Sequence, residues 1–104
     1  PDGIYISGGA VKSELWTQMH ADVCNLPIYI PKVTEGPCLG SAILGAVAAG
    51  VYDTIETAAN SMVTIERTIE PDQKRHEEYV FYYNKYVEFY ELAKGWMHSL
   101  TMHI

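Results

Sequence analysis

The chain has 104 residues, 48% of them hydrophobic and 19% charged, which fits one globular domain or a piece of one and excludes a disordered chain. Thirteen acids against seven bases give a formal charge of -6, so nucleic acid and anionic membrane are repelled over most of the surface and an anionic ligand must be held locally. The two cysteines, Cys24 and Cys38, lack CxxC spacing and read as buried thiols of a reducing cytoplasm rather than a disulfide framework.

Pro1-Asp2-Gly3 is a turn-like lead without an initiator Met. With no leader pattern and no apolar run of membrane-spanning length, this abrupt start is expected of a piece of a longer polypeptide. Ile4 to Ser7 reads as a short strand that meets Gly8-Gly9 and then a helix. Glycine reaches backbone angles denied to other residues, and a following helix aims its unpaired N–H groups and the positive end of its dipole at the turn. Such a turn suits a phosphate. The pattern is shorter than the P-loop or the dinucleotide fingerprint, so a plain tight turn is the alternative. The candidate binding groups are the backbone amides of Gly8, Gly9 and Ala10 and the Ser13 hydroxyl, with Lys12 either neutralising charge or simply solvated.

Val11, Leu15, Trp16, Met19 and Val23 recur at helical steps, so a helix over Val11 to Cys24 is expected to turn that face to the core, leaving Gln18, His20 and Asp22 largely off the stripe. Asn25 is a candidate left-handed cap, and Pro27 stops the helix. Ile28 to Ile30 reads as a second strand, and the strand–helix–strand order favours a parallel pair. Lys32 to Pro37 forms a loop. From Cys38 to Ala49 the chain is apolar all round and built of small residues, which predicts a buried helix whose Gly40 and Gly45 admit a close neighbour. Gly50 is expected as its left-handed terminus. Asp53 and Glu56 have capping-box spacing ahead of a short helix, and Val63 to Glu70 is an edge strand or an extended connector. Asp72 then caps a helix over Gln73 to His98, about 40 Å long. Its Tyr79, Tyr82, Tyr83, Tyr86, Phe89, Tyr90, Ala93 and Trp96 or Met97 form a stripe that reads as core or interface packing, with a cofactor- or sugar-stacking surface as the alternative. Leu100 to Ile104 is expected to fray.

Catalytic chemistry is sparse. His20, His76, His98 and His103 have no ligand spacing, neither Ser7 nor Ser13 stands in a nucleophile elbow, and no carboxylate pair is positioned by spacing. The chain reads as one that binds without reacting.

Gly8-Gly9-Ala10-Val11-Lys12-Ser13-Glu14-Leu15-Trp16, then Gln18 to Val23, Leu26-Pro27-Ile28 and Leu39 to Gly50 together resemble the C-terminal part of the FGGY carbohydrate kinases. The likeness continues through Val51-Tyr52, Glu70-Pro71-Asp72 and the tyrosine-rich helix, and its Met19-His20-Ala21-Asp22 and Leu39-Gly40-Ser41-Ala42 strings are nearest the ribulokinase and pentulose kinase branch. The resemblance implies an α/β fold, part of an actin-like (ribonuclease H-like) ATPase domain, with short parallel strands packed with helices and a long C-terminal helix. It implies that residues 1–104 are the C-terminal segment of the second, nucleotide-binding domain of a cytoplasmic, ATP-dependent kinase that phosphorylates a sugar hydroxyl, a pentulose such as ribulose being the expected acceptor. Gly8 and Gly9 would then line the nucleotide near its phosphate and ribose, and Ser13 stands where relatives often place Asn. The catalytic base, the Mg2+ ligands and the sugar pocket lie earlier in such kinases, so the segment alone is expected to be inactive and to pack against the rest of the kinase or a copy of itself. Two other classes stay open: a non-catalytic packing or oligomerisation module, and a piece of a dinucleotide-binding oxidoreductase. The second lacks the third fingerprint glycine and a ribose-binding carboxylate in Lys32 to Glu35.

Overall fold

A computed structural model describes residues 1–103. Among these described residues three strands, β1 (Ile4–Tyr5), β2 (Ile28–Pro31) and β3 (Ile65–Ile69), form one sheet in that order. Four α-helices accompany them: α1 (Glu14–Cys24), α2 (Gly36–Ala48), α3 (Ile55–Met62) and α4 (Gln73–His103). β1 and β2 run parallel, Ile4 opposite Ile28, as the strand–helix–strand order predicts. β3 is the edge strand of the two alternatives for this stretch, and by joining antiparallel it makes the small sheet mixed where parallel strands are expected. Pro31 sits at a register shift at the end of the central strand, where its missing N–H costs the ladder least. Beyond it the Lys32 N–H reaches the Thr64 carbonyl at 2.8 Å.

The core is small. Ile28 and Ile30 are enclosed between Val11, Ala21 and the partly buried Ile4, Ile6 and Ile69, each enclosed isoleucine contributing about 1.5–3 kcal/mol. The expected core stripe of α1 faces the other way: Leu15 is 70% exposed, Trp16 49% and Val23 44%. The face against the sheet is instead Thr17, Ala21 and Asp22. Ala21 lets the helix lie close, and Thr17 satisfies its buried hydroxyl on the carbonyls of Ser13 and Glu14.

Asp22 is 1% exposed and holds α1 to the start of α4. Its Oδ1 accepts from Gln18 Nε2 and from the Asp72 N–H, both at 2.8 Å. The Asp22 carbonyl lies 2.9 Å from His76 Nδ1, and Gln73 Nε2 donates to Asn25 Oδ1. Asp22 Oδ2 has no hydrogen bond and faces Arg75 Nη1 at 3.6 Å. Asp72, as expected, caps α4 by accepting from the Arg75 N–H at 2.9 Å.

Other elements refine or correct the sequence reading. Asn25 takes the left-handed conformation as expected, at φ 52. Gly50, at φ 75, closes α2 with bonds from its own N–H to Val47 and from the Val51 N–H to Ala46. α2 begins at Gly36 rather than Cys38, because Pro37 suits the first helical turn. Its only buried residue is Ile43, so α2 is not enclosed, and Gly40 and Gly45 face open space rather than a neighbouring backbone. The α3 cap is Thr54 and not Asp53: the Thr54 hydroxyl accepts from the Thr57 N–H at 3.1 Å. Cys24 and Cys38 are exposed, since Cys24 lies on the outward side of α1 and Cys38 on the uncovered α2. α4 runs past His98 to His103 with no frayed turn, and Ile104 lies outside the described residues. None of its described residues is buried. The radius of gyration, 19.4 Å, exceeds the about 13 Å of a compact chain this long because α4 projects from the sheet.

Replacing Asp22 by Ala strands the Asp72 N–H and leaves the Gln18 amide only its bond to the Glu70 carbonyl, and is expected to cost about 2–4 kcal/mol. Arg75→Ala removes a half-exposed charge from beside the buried Asp22 Oδ2 but strands no hydrogen bond of that carboxylate, and is expected to cost less than Asp22→Ala. Urea midpoints followed by circular dichroism compare the two, and equal losses would contradict this account of the junction.

Candidate functional site

The Gly8-Gly9 turn leaves the end of β1 and passes into a short 3-10 helix, Gly9–Lys12, before α1 begins. The sequence expectation of one continuous helix from Val11 is therefore corrected. Ser13 breaks it by adopting an extended backbone, and its hydroxyl accepts from the Trp16 N–H at 3.2 Å as the cap of α1. The Ser13 oxygen is thus committed to the helix, while its O–H remains a donor.

Gly8 stands at φ 84 and ψ -161, a region open almost only to glycine. Its N–H donates to the Thr34 carbonyl at 2.8 Å, which ties the turn to the loop entering α2. At the far side of that loop a side chain on Gly36 would come within 2.5 Å of the Ser7 hydroxyl. The two chain segments therefore meet with no room for a Cβ between them. Outward the turn is open: a Cβ on Gly8 or Gly9 would meet nothing within 4 Å. Ala10 is half-buried and Lys12 exposed beside it.

The start of α2 adds what the sequence reading missed. Glu35 makes no side-chain cap, and the first bond of the ladder runs from the Leu39 N–H to the Glu35 carbonyl at 3.0 Å. The N–H groups of Gly36 and Cys38 lie ahead of it, at the positive end of a 13-residue helix. Thus the glycine turn and an uncapped helix start stand side by side, a pairing suited to an anion. The sequence signal was Glu35-Gly36-Pro37, a proline at a helix start rather than in a loop. What no local pattern reveals is that Thr34 and Gly36 lie against Ser7 and Gly8.

Other candidates separate. His20 packs on Trp16 with ring centroids 4.5 Å apart, its Nδ1 2.8 Å from the Trp16 carbonyl. The other three histidines lie on α4. Among the described residues no three His, Cys, Asp or Glu side chains are grouped as metal ligands. Two apolar clefts flank α1, one of about 140 Å³ along Trp16, Met19 and Val23, the other of about 300 Å³ between Cys24 and Tyr79. Neither adjoins the glycine turn. Among the described residues no helix is long and apolar enough to cross a membrane.

Comparison with known proteins gives the family of the chain. Residues 1–49 match the FGGY family of carbohydrate kinases, C-terminal domain. The autoinducer-2 kinase of Escherichia coli is 37% identical over 102 residues, 97% of this chain and 19% of that protein. The xylulose kinase of Staphylococcus epidermidis is 37% identical over 87 residues, 84% of this chain and 18% of that protein. Among solved structures, ligand-bound xylulose kinase and gluconate kinase, both from Lactobacillus acidophilus, superpose with TM-scores of 0.82 and 0.81 at 22% identity. They cover 90% and 89% of this chain, which spans 19% of each. The chain belongs to the FGGY carbohydrate kinases as a C-terminal segment, and its fold is theirs.

The turn's two glycines differ in what a side chain would do to them. Gly8→Val forces a branched residue into glycine-only backbone space and is expected to cost about 1–3 kcal/mol. Gly9→Val points into open space and is expected to change stability by less than about 0.5 kcal/mol. Thermal unfolding of both variants checks this, and equal melting temperatures would contradict the backbone assignment.

Proposed function

We propose that residues 1–104 form the part of an ATP-dependent carbohydrate kinase that holds the nucleotide, with Gly8, Gly9, Ala10 and Ser13 as its contacts. The observation that carries this reading is the open glycine turn lying against the uncapped start of α2. Main-chain N–H groups from both elements would face phosphate oxygens, and the positive helix end would offset their charge locally on a chain of net charge -6. The Ser13 O–H would donate to a ribose or phosphate oxygen while its lone pair keeps the cap. Bound ATP would supply the transferable phosphoryl group. The residues here position it.

The relatives support assigning the nucleotide rather than the sugar to this segment. Kinases named for autoinducer-2 and for xylulose match it at the same 37% identity, so the segment carries what those enzymes share rather than what separates their acceptors. The acceptor is proposed to be a sugar hydroxyl, and a pentulose by likeness to the xylulose kinase. The base that takes the hydroxyl proton, the Mg2+ ligands and the sugar pocket are proposed to lie in the four-fifths of the kinase length outside these residues, and the site of action to be the cytoplasm. Phosphoryl transfer needs all of these together, so the segment by itself is proposed to bind and not to turn over. The outward apolar stripe of α1 and the uncovered α2 would be enclosed by that remainder.

Calorimetric titration with ATP, ADP and NAD tests the reading. ATP or ADP is expected to bind and NAD not to, and Gly9→Val, whose added side chain meets open space, is expected to keep the fold and abolish the signal. Undiminished ATP affinity in Gly9→Val would remove Gly9 from the site. Binding of NAD alone would favour the dinucleotide-binding alternative.

A further inference from the structure

We infer that Arg67 is a positioning residue for the nucleotide: from β3 its guanidinium holds the turn between Gly8 and Ser13 in shape by the carbonyl of Val11. The inference rests on the proposal that Gly8, Gly9, Ala10 and Ser13 hold the nucleotide. The turn cannot fix its own shape. Its internal bonds are long, from the Val11 N–H to the Gly8 carbonyl at 3.4 Å and from the Ser13 N–H to the Ala10 carbonyl at 3.2 Å, and a 3-10 turn is the weaker helical form. It lies between Gly8, in glycine-only backbone space, and the extended Ser13. Ties from outside therefore decide where its N–H and O–H groups point. The Gly8 bond to Thr34 holds the start, and the enclosed Val11 side chain holds the middle. At the exit the Ser13 N–H donates to Ala10 and the Thr17 N–H to Ser13, so among the described residues no backbone amide reaches the Val11 carbonyl. That carbonyl accepts from Arg67 Nη2 at 3.3 Å.

The form of β3 delivers this side chain. Arg67 pairs with Ile30 whereas Ile65 pairs with Pro31, so Glu66 is an extra residue in the ladder. Such a bulge twists its strand and re-aims the neighbouring side chain. Opposite the enclosed Ile30 and two residues before Ile69, Arg67 lies on the sheet face that meets Val11. The other arm of its fork, Nη1, stands 3.4 Å from Glu14 Oε1 in the first turn of α1. A cation beside a helix start is opposed by the dipole, and the Glu14 carboxylate offsets that. Glu14 is 88% exposed, so this ion pair holds little by itself. The part-buried bond to the Val11 carbonyl is the tie. With its charge answered by Glu14, Arg67 braces main chain rather than attracting phosphate.

Calorimetric titration with ADP, at a temperature where circular dichroism shows parent and variants folded, tests the inference. Arg67→Met keeps the apolar stem and removes both donors. If the untied turn is competent about a tenth of the time, ADP binds about tenfold more weakly. Glu14→Gln leaves the Val11 bond in place and is expected to keep the affinity within about twofold. Undiminished affinity in Arg67→Met overturns the inference and leaves the nucleotide reading standing, whereas no ADP binding by the parent chain overturns both. Tighter binding in Glu14→Gln would make the freed guanidinium a phosphate contact and overturns the positioning role. Amide hydrogen exchange without nucleotide gives a second measurement. In Arg67→Met the Val11 and Ser13 N–H groups are expected to exchange about tenfold faster, while those of Ile4 and Ile6, which donate to Pro27 and Tyr29, keep the parent rate. Parent-like exchange at Val11 and Ser13 overturns the inference equally.

Discussion

The hydrogen bond from the Gly8 N–H to the Thr34 carbonyl, 2.8 Å long, is the tie on which the arrangement at the top of the sheet depends. It exists because β1 and β2 run parallel, so the ends of both strands, and the loops leaving them, reach the same edge. That is the edge where open α/β sheets bind their ligands. Gly8 takes a backbone state other residues avoid, and Gly36 gives way to the Ser7 hydroxyl. With both conditions met, a bare turn and a helix start share one patch of main-chain donors. Neither element alone is specific for phosphate; their adjacency is the argument.

The second organising feature is a polar junction rather than an apolar one. Asp22 gathers the Asp72 N–H and the Gln18 amide, and its backbone carbonyl takes His76, so the first turn of α4 is fastened to α1 through a buried carboxylate. The apolar surface of α1, α2 and α4 meanwhile faces outward. A chain with a core this small and so many exposed large side chains has its hydrophobic stabilisation still to gain from neighbours. This accords with a segment that spans 19% of the Escherichia coli autoinducer-2 kinase and 18% of the Staphylococcus epidermidis xylulose kinase.

Much of the fold was legible where a residue acts through its own backbone. Asn25, Gly50 and Asp72 all end or begin helices where their chemistry places them, and the parallel pair follows from the short strand–helix–strand order. Misreadings arose where a neighbour in space decides the outcome. Periodicity identified the apolar stripe of α1 correctly as a stripe, but it carries no information on which side the sheet lies, and the sheet took the face of Ala21 and Asp22. The small residues of α2 suited burial, yet nothing in this chain covers them. Ser13 breaks the expected helix and Thr54 replaces Asp53 as a cap, each by the reach of a hydroxyl to an N–H three residues on. At the site, the glycines were visible in the sequence and the start of α2 was not, since only the folded sheet brings residues about thirty positions apart together.

The most direct measurement is amide chemical-shift mapping by nuclear magnetic resonance during titration with ADP. If main-chain donors of the two elements hold the phosphates, the largest changes fall on the N–H signals of Gly8, Gly9, Ala10, Gly36 and Cys38, and those of α4 stay still. Changes confined to the clefts beside α1 and α4, with the turn silent, would contradict the account.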